Sequence, residues 1–201
     1  QLRRIPSCCN SAPLAINGRA EPTPGAGRFA VLKRAWAPGD RVTLTLPMAL
    51  RKSYWHERSV SIERGPLVYA LRIEEEWSEV RPEDRQFGYR ECRPKTPWNY
   101  ALLESDLKNA DAAFGVVKSE SVADYPWTLE AAPIELRARG ARVPQWKMYD
   151  GSAGRVPMSP MPRVGGMQPE PIRLIPYGCK TLRVSGFPWM QDKGGRARPP
   201  E

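Results

Sequence analysis

The sequence predicts an all-β protein composed of two β-sandwich-like units. Three observations support this class: short apolar or alternating runs recur along the chain, 22 prolines and 16 glycines punctuate it, and no long apolar stripe has helical spacing. Proline lacks the backbone donor that a helix interior needs, and both proline and glycine favour turns. We therefore expect short strands joined by turns.

The first predicted unit covers residues 1–70. Asn17-Gly18 favours a tight turn because both residues tolerate positive φ, and Pro38-Gly39-Asp40 repeats the turn signal. We expect this unit to be incomplete at its N-terminus, because the chain begins without Met and in strand-like residues. The strands expected here are Leu2–Ile5, Leu14–Ile16, Phe29–Leu32, Val42–Leu46, Ser59–Glu63 and a last strand, Leu67–Ile73, that crosses into the next unit.

The second predicted unit covers residues 71–190, and residues 191–201 form a polar tail. The charged segment from Glu74 to Arg85 is interpreted as an exposed connection, and the Pro- and Gly-rich segment Gly151–Pro171 as a long loop. A short helical turn fits between Trp98 and Leu107. The strands expected here are Ile134–Ala138, Arg142–Met148, Ile172–Ile175 and Thr181–Val184.

The composition argues against a nucleic-acid or membrane partner. The net charge is +9, but the Lys and Arg residues are spread singly along the chain and form no basic stripe. No run approaches the roughly 18 apolar residues that a membrane helix needs. The sequence gives no indication of the cellular compartment.

The ionisable residues do not form a recognisable catalytic or metal site. The four cysteines and the single histidine, His56, lack zinc-site spacing, and no nucleophile motif accompanies them. We therefore predict neither a catalytic residue nor a metal ligand in this chain. His56 and the carboxylates are expected to be solvated surface groups. The carboxylates considered are Glu74, Glu76, Glu91, Glu104 and Asp106.

Aromatic residues with polar neighbours offer a second kind of site. Trp98, Tyr100 and Trp146 have such neighbours, as does Trp127, and their flat rings could stack on a sugar. The same rings also suit a sandwich core or a domain interface. We take Trp98, Tyr100 and Trp146 as candidate carbohydrate contacts, with core packing as the alternative.

Several short sequence motifs, called words below, occur in a fixed order and together resemble one enzyme family. They resemble the segment that follows the catalytic barrel in the β-L-arabinofuranosidases of glycoside hydrolase family 127, a bacterial carbohydrate-degrading family. The early words are Arg4-Ile5-Pro6-Ser7, Asn17-Gly18, Arg34-Ala35-Trp36, Leu46-Pro47-Met48 and Arg64-Gly65-Pro66-Leu67-Val68-Tyr69. The later words are Thr96-Pro97-Trp98-Asn99-Tyr100, Arg142-Val143-Pro144-Gln145-Trp146, Leu174-Ile175-Pro176-Tyr177-Gly178 and Leu182-Arg183-Val184.

The resemblance implies a fragment that lacks the family's (α/α)6 catalytic barrel. In that family the barrel carries the chemistry, in which a cysteine thiolate attacks the sugar and zinc is held by three cysteines and a glutamate. The chain itself would then need no cofactor. Its partners would be the missing barrel and, through the parent enzyme, plant-derived glycans that contain arabinose. The alternative function is a free-standing carbohydrate-binding module.

The adjacent cysteines Cys8 and Cys9 are the one feature that suggests the family's catalytic centre. Adjacent cysteines also occur in that centre, where proline typically follows them, whereas Asn10 follows here. The words on either side resemble the sandwich region. We therefore interpret Cys8, Cys9, Cys92 and Cys179 as structural thiols.

Overall fold

A computed structural model describes residues 2–6, 12–83, 86–165 and 167–192, with the side chains of residues 2–4 left aside. It confirms the all-β class. The helices are short: α1 (Glu104–Lys108), α2 (Ala110–Ala113) and the 3-10 turns His56–Arg58 and Tyr177–Cys179. The strands are β1 (Leu2–Arg4), β2 (Leu14–Ile16), β3 (Arg19–Glu21), β4 (Phe29–Val31), β5 (Val42–Leu44), β6 (Leu50–Tyr54), β7 (Val60–Arg64), β8 (Leu67–Leu71), β9 (Glu75–Val80), β10 (Tyr89–Pro94), β11 (Tyr100–Leu103), β12 (Gly115–Lys118), β13 (Ile134–Arg142), β14 (Met148–Tyr149), β15 (Ser152–Ala153), β16 (Pro169–Pro176) and β17 (Trp189–Met190).

The chain divides into two compact units. Unit 1 consists of Gln1–Leu50 together with Arg64–Pro66, and unit 2 consists of Arg51–Glu63 and Leu67–Glu201. The sequence analysis predicted a division at residue 70. In the structure, β8 and most of β6 and β7, which that prediction assigned to the first unit, belong to unit 2.

Unit 1 contains two small antiparallel sheets. One pairs β1 with β4, and the other has the order β3-β2-β5. The β2–β3 connection is the predicted Asn17-Gly18 turn, with positive φ at both residues (52° and 80°). Leu14 and Ile16 of β2 are buried with Ala30 and form the centre of a small apolar core.

Unit 2 is organised by one eight-stranded sheet. Its order is β17-β11-β13-β16-β8-β7-β6, with β12 also paired to β13. The central strands alternate inward and outward: Leu136 and Leu174, paired across β13 and β16, are fully buried, whereas Arg137 and Arg173 are exposed. This period of two buries alternate residues along each strand and explains why the strands were recognisable in the sequence.

The structure corrects the interpretation of the Glu74–Arg85 segment. Residues Glu75–Val80 form β9, which pairs with β10 in an antiparallel hairpin and places Trp77 opposite Cys92 and Glu76 opposite Arg93. Its alternation is hidden because most of its side chains are polar or exposed. Cross-strand pairs, which a single segment does not display, stabilise this hairpin.

The predicted strand Thr181–Val184 is also wrong, because the segment is irregular. Its first two backbone N–H groups donate to the Glu75 carboxylate and not to a neighbouring strand. No helix in the described part of the chain is both long and apolar enough to cross a membrane.

Candidate functional site

Two of the predicted sugar contacts, Trp98 and Trp146, pack against each other inside unit 2. Their ring centroids are 5.1 Å apart at an interplanar angle of 71°, the edge-to-face arrangement that aromatic quadrupoles favour. Trp146 is only 4% exposed, and its indole N–H donates to the carbonyl of Gly154 at 2.8 Å. With its faces covered and its donor satisfied, this ring supports the core-packing interpretation.

Tyr100 lies on β11 and is also buried, with 7% exposure. Its hydroxyl donates to the carboxylate of Glu170. Burial, followed by the hydrogen bond to Glu170, raises the pKa of Tyr100 to about 12. Carbohydrate contact through Trp98, Tyr100 and Trp146 stays a prediction, and their placement favours a structural role.

A cavity of about 460 Å³ elsewhere in unit 2 is lined by acidic, basic and aromatic side chains. It is called the Lys180 cavity below. Its walls come from the start of β9, from the segment after Pro126 and from the turn that follows β16. The lining residues are Glu74, Glu75, Trp77, Trp127, Thr128, Leu129, Glu130, Gly178, Cys179, Lys180, Thr181 and Arg183.

Glu75 organises one wall of the Lys180 cavity. Its Oε1 accepts hydrogen bonds from the backbone N–H groups of Thr181 at 2.6 Å and Leu182 at 2.8 Å. The two hydrogen bonds fix the orientation of the carboxylate. Glu75 also acts on Cys92: burial first, and then the charge of Glu75, raise the pKa of the Cys92 thiol. The thiol is thereby kept protonated and unreactive at neutral pH.

The segment that carries Trp127 is held in place on two sides. Arg72 donates from Nη1 to the carbonyl of Leu129 at 2.9 Å, and the buried thiol of Cys179 lies 3.6 Å from the carbonyl of Pro126. The Trp127 ring lies against Gly178, where an added Cβ would be 3.6 Å from Cε3 of the ring. One side of the ring is therefore covered while 42% of the residue remains exposed.

Trp77 provides a second aromatic surface on β9. It is 44% exposed, and the guanidinium of Arg90 lies 4.9 Å from its ring centroid. A cation over an indole face is attracted by the ring quadrupole, so Arg90 holds the ring in orientation. Trp77 and Trp127 thus bring two partly exposed indoles to one cavity.

Lys180 is the unusual group of this cavity. The residue is 6% exposed, and its Nζ has no hydrogen-bond partner among the described residues. Burial lowers the pKa of Lys180 to about 7, against the opposing effect of the Glu75 charge. An amine of this kind is partly neutral near pH 7. The neutral form both donates and accepts hydrogen bonds, whereas the ammonium form only donates.

The remaining sequence candidates lie apart and show no shared chemistry. His56 is an exposed side chain 3.3 Å from Glu57. Asp106 was predicted to be a solvated surface group, and this is wrong. The residue is buried and accepts two hydrogen bonds from the guanidinium of Arg139. Its burial is compensated by that ion pair, an arrangement that sequence spacing does not reveal.

The cysteines fall into two groups. Cys179 is buried and Cys92 half-buried, both as free thiols, whereas Cys8 and Cys9 lie outside the described residues. Within the ranges that the structure describes, no cluster of three or more His, Cys, Asp or Glu side chains could hold a metal ion.

Sequence comparison finds a similarity to a known family at the beginning of the chain. Residues 2–48 match the family profile described as beta-L-arabinofuranosidase, GH127 middle domain. Residues 2–48 resemble a family 127 middle domain. The similarity to the β-sandwich region of family 127 proteins, expected from the ordered words, is therefore confirmed. No curated protein matches the chain.

Solved structures extend the likeness over almost the whole chain at the level of the fold. One, titled as a glycoside hydrolase, has a TM-score of 0.54 and 22% identity. The match covers 94% of this chain and 27% of the glycoside hydrolase chain. Another is a GH127 β-L-arabinofuranosidase from Geobacillus stearothermophilus T6, with a TM-score of 0.52, 22% identity and coverage of 95% and 26%. The chain therefore spans about a quarter of the length of these proteins.

Sequence reasoning missed Lys180 and Trp77 as site residues and mentioned Trp127 only for its polar neighbours. The signal for Trp77 lies in the cross-strand pairs of Glu75–Val80 with Tyr89–Pro94, which only a comparison of the two segments would show. Lys180 carries no such signal, because its burial depends on segments distant in sequence.

Proposed function

We propose that this chain is the non-catalytic C-terminal β-sandwich region of a bacterial, family 127-like β-L-arabinofuranosidase. In this role it buttresses the catalytic barrel of the parent enzyme, which degrades plant-derived glycans that contain arabinose. Zinc, as the family resemblance implies, belongs to the catalytic domain of the parent. The observation that carries the proposal is the fold match, which takes up almost all of this chain and about a quarter of each solved protein.

Unit 1 offers an apolar surface suited to such a partner. On β4, Phe29 and Val31 are 58% and 57% exposed, whereas Ala30 between them is buried. Alternate residues of a strand project to the same side, so the two large side chains share one face. Exposed neighbouring apolar side chains are typical of a surface that contacts another domain.

The catalytic part of the proposal is tested by assaying the chain on an aryl β-L-arabinofuranoside with zinc and a reductant present. We expect no turnover, because the catalytic groups are assigned to the barrel. Clear turnover that disappears when Cys8 and Cys9 are replaced by serine would contradict a non-catalytic chain.

The docking part is tested by light scattering of the wild-type chain and a Phe29→Ser, Val31→Ser double variant. We expect the wild-type chain to self-associate as concentration rises and the double variant to do so less, since the apolar face is removed. A Val116→Ser, Val117→Ser variant, on the exposed β12 of unit 2, is the matched control. A wild-type chain that stays monomeric at high concentration counts against a missing partner domain.

The alternative, a free-standing carbohydrate-binding module, was based on Trp98, Tyr100 and Trp146. Tyr100 and Trp146 are buried and Trp98 is partly buried, which does not favour this alternative.

A further inference from the structure

The Lys180 cavity combines two partly exposed indoles with a buried amine and a fixed carboxylate. Trp77 and Trp127 line the Lys180 cavity with 44% and 42% exposure, although indole rings are among the largest apolar groups that folding buries. The apolar face of a sugar ring, made of C–H groups, packs well on such a surface. The cavity volume, about 460 Å³, lies in the range of small-molecule sites.

The Lys180 amine needs a partner that the described residues do not supply. A buried donor without an acceptor is destabilising, and most buried polar groups in proteins are therefore hydrogen-bonded. The residue is more than nine-tenths buried and lines the same cavity as the two indoles. The amine itself has almost no accessible surface, so a ligand oxygen in the cavity would satisfy it once the Lys180 side chain rotates toward the cavity.

The cavity also contains acceptors for a ligand's hydroxyl groups. Glu75 is fixed by two backbone donors on Oε1, so its orientation is set before any ligand binds. Glu74 stands next to it, 42% exposed at its side chain and 3.4 Å from Nε of Arg72. Fixed acceptors beside a donor suit hydroxyl groups, because each hydroxyl both donates and accepts.

The balance of charge favours a neutral ligand over an anion. The lining contributes three carboxylates and two basic side chains, and the Arg72 guanidinium reaches Glu74 from the adjoining strand end. Positive and negative groups therefore nearly cancel. A carboxylate ligand would therefore gain no net electrostatic attraction to offset the loss of its own hydration.

From these observations we infer that the Lys180 cavity binds a neutral sugar residue. Trp127 and Trp77 provide the stacking surface, and Glu75 accepts from a hydroxyl group. Lys180 donates to a sugar oxygen after its side chain rotates toward the cavity. The lowered pKa of Lys180 agrees with this role, since a partly neutral amine is compatible with a neutral ligand. The inference concerns unit 2 alone and stands independently of the proposed docking role of unit 1.

The test is a titration of the full chain followed through the tryptophan indole signals in proton–nitrogen correlation spectra. The probes are L-arabinose, D-galactose and D-galacturonate, and single Trp→Phe variants assign the signals. We expect saturable shifts of the Trp77 and Trp127 signals with at least one neutral sugar, weaker binding of galacturonate, and no shift of Trp55. Trp55 is the matched control because it is 66% exposed in the same unit but does not line the cavity.

Variants then identify the contacts. Trp127→Ala is expected to weaken sugar binding about tenfold and Lys180→Met several-fold, whereas Trp55→Ala leaves it unchanged. The wild-type titration keeps the inference testable if a variant fails to fold. Absence of saturable shifts with both neutral sugars, or tighter binding of galacturonate, would overturn it. Failure here leaves the scattering result for Phe29 and Val31 unaffected, so the two proposals are judged separately.

Discussion

The two tryptophan regions of unit 2 use the same side chain for different purposes. Trp98 and Trp146 pack edge to face, and the Trp146 N–H is satisfied by a backbone carbonyl. Trp77 and Trp127 remain nearly half exposed and share a cavity with an amine that has no partner among the described residues. Satisfied polar atoms are typical of a structural region, whereas exposed rings beside a donor without a partner are the features from which we infer a binding site.

The largest effect is expected from Trp146→Ala. Removing this buried ring leaves a cavity beside Val143 and Met190 and frees the carbonyl of Gly154. We expect the free energy of unfolding to fall by about 3–5 kcal/mol. Urea denaturation followed by circular dichroism measures it, with the exposed Trp55→Ala as control. A loss below about 1 kcal/mol would remove the distinction between the two regions.

The second-largest change in the free energy of unfolding is expected from Lys180→Met, and its size depends on pH. The folded pKa of Lys180, about 7, lies below the unfolded value of 10.5. The unfolded chain therefore binds more protons above pH 7, and raising the pH stabilises the wild-type chain. The contribution between about pH 6 and about pH 8 is roughly 1 kcal/mol.

The Met variant lacks this contribution, so its stability gain over wild type should be larger at about pH 6 than at about pH 8. Glu75, Glu74 and Arg72 are the charges that act on the amine, and all are retained in the variant. Denaturation curves at both pH values measure the difference. Parallel pH profiles for the two proteins would show that the amine is not held in a buried environment.

The smallest effect on stability is expected from Trp127→Ala. Its ring contacts Gly178 on one side, but 42% of the residue is already exposed. We expect the free energy of unfolding to change by less than about 1 kcal/mol, because little packing is lost. The same denaturation assay measures it. A loss as large as that of Trp146→Ala would assign Trp127 to the core.

The pattern of side chains predicted most of the sheet. The alternation in Ile134–Ala138 identified one central strand, because it buries every second residue, and the apolar run Ile172–Ile175 identified its neighbour. The Asn17-Gly18 turn was equally direct, since its positive φ angles are a local property of those two residue types. The β9–β10 hairpin was not predicted, because its stability depends on pairs between two segments and not on apolar residues within one segment.

By itself the sequence determined the all-β class, the main turns and the resemblance to the family 127 sandwich region, because these follow from local periodicity and ordered words. Only the tertiary structure decided which aromatic rings are free. Trp146 and Trp127 have similar polar neighbours in the sequence, yet one is 4% and the other 42% exposed. Burial depends on distant strands: β16 ends in the turn that brings Lys180 beside Glu75 of β9, and long-range contacts of this kind leave no pattern in either segment.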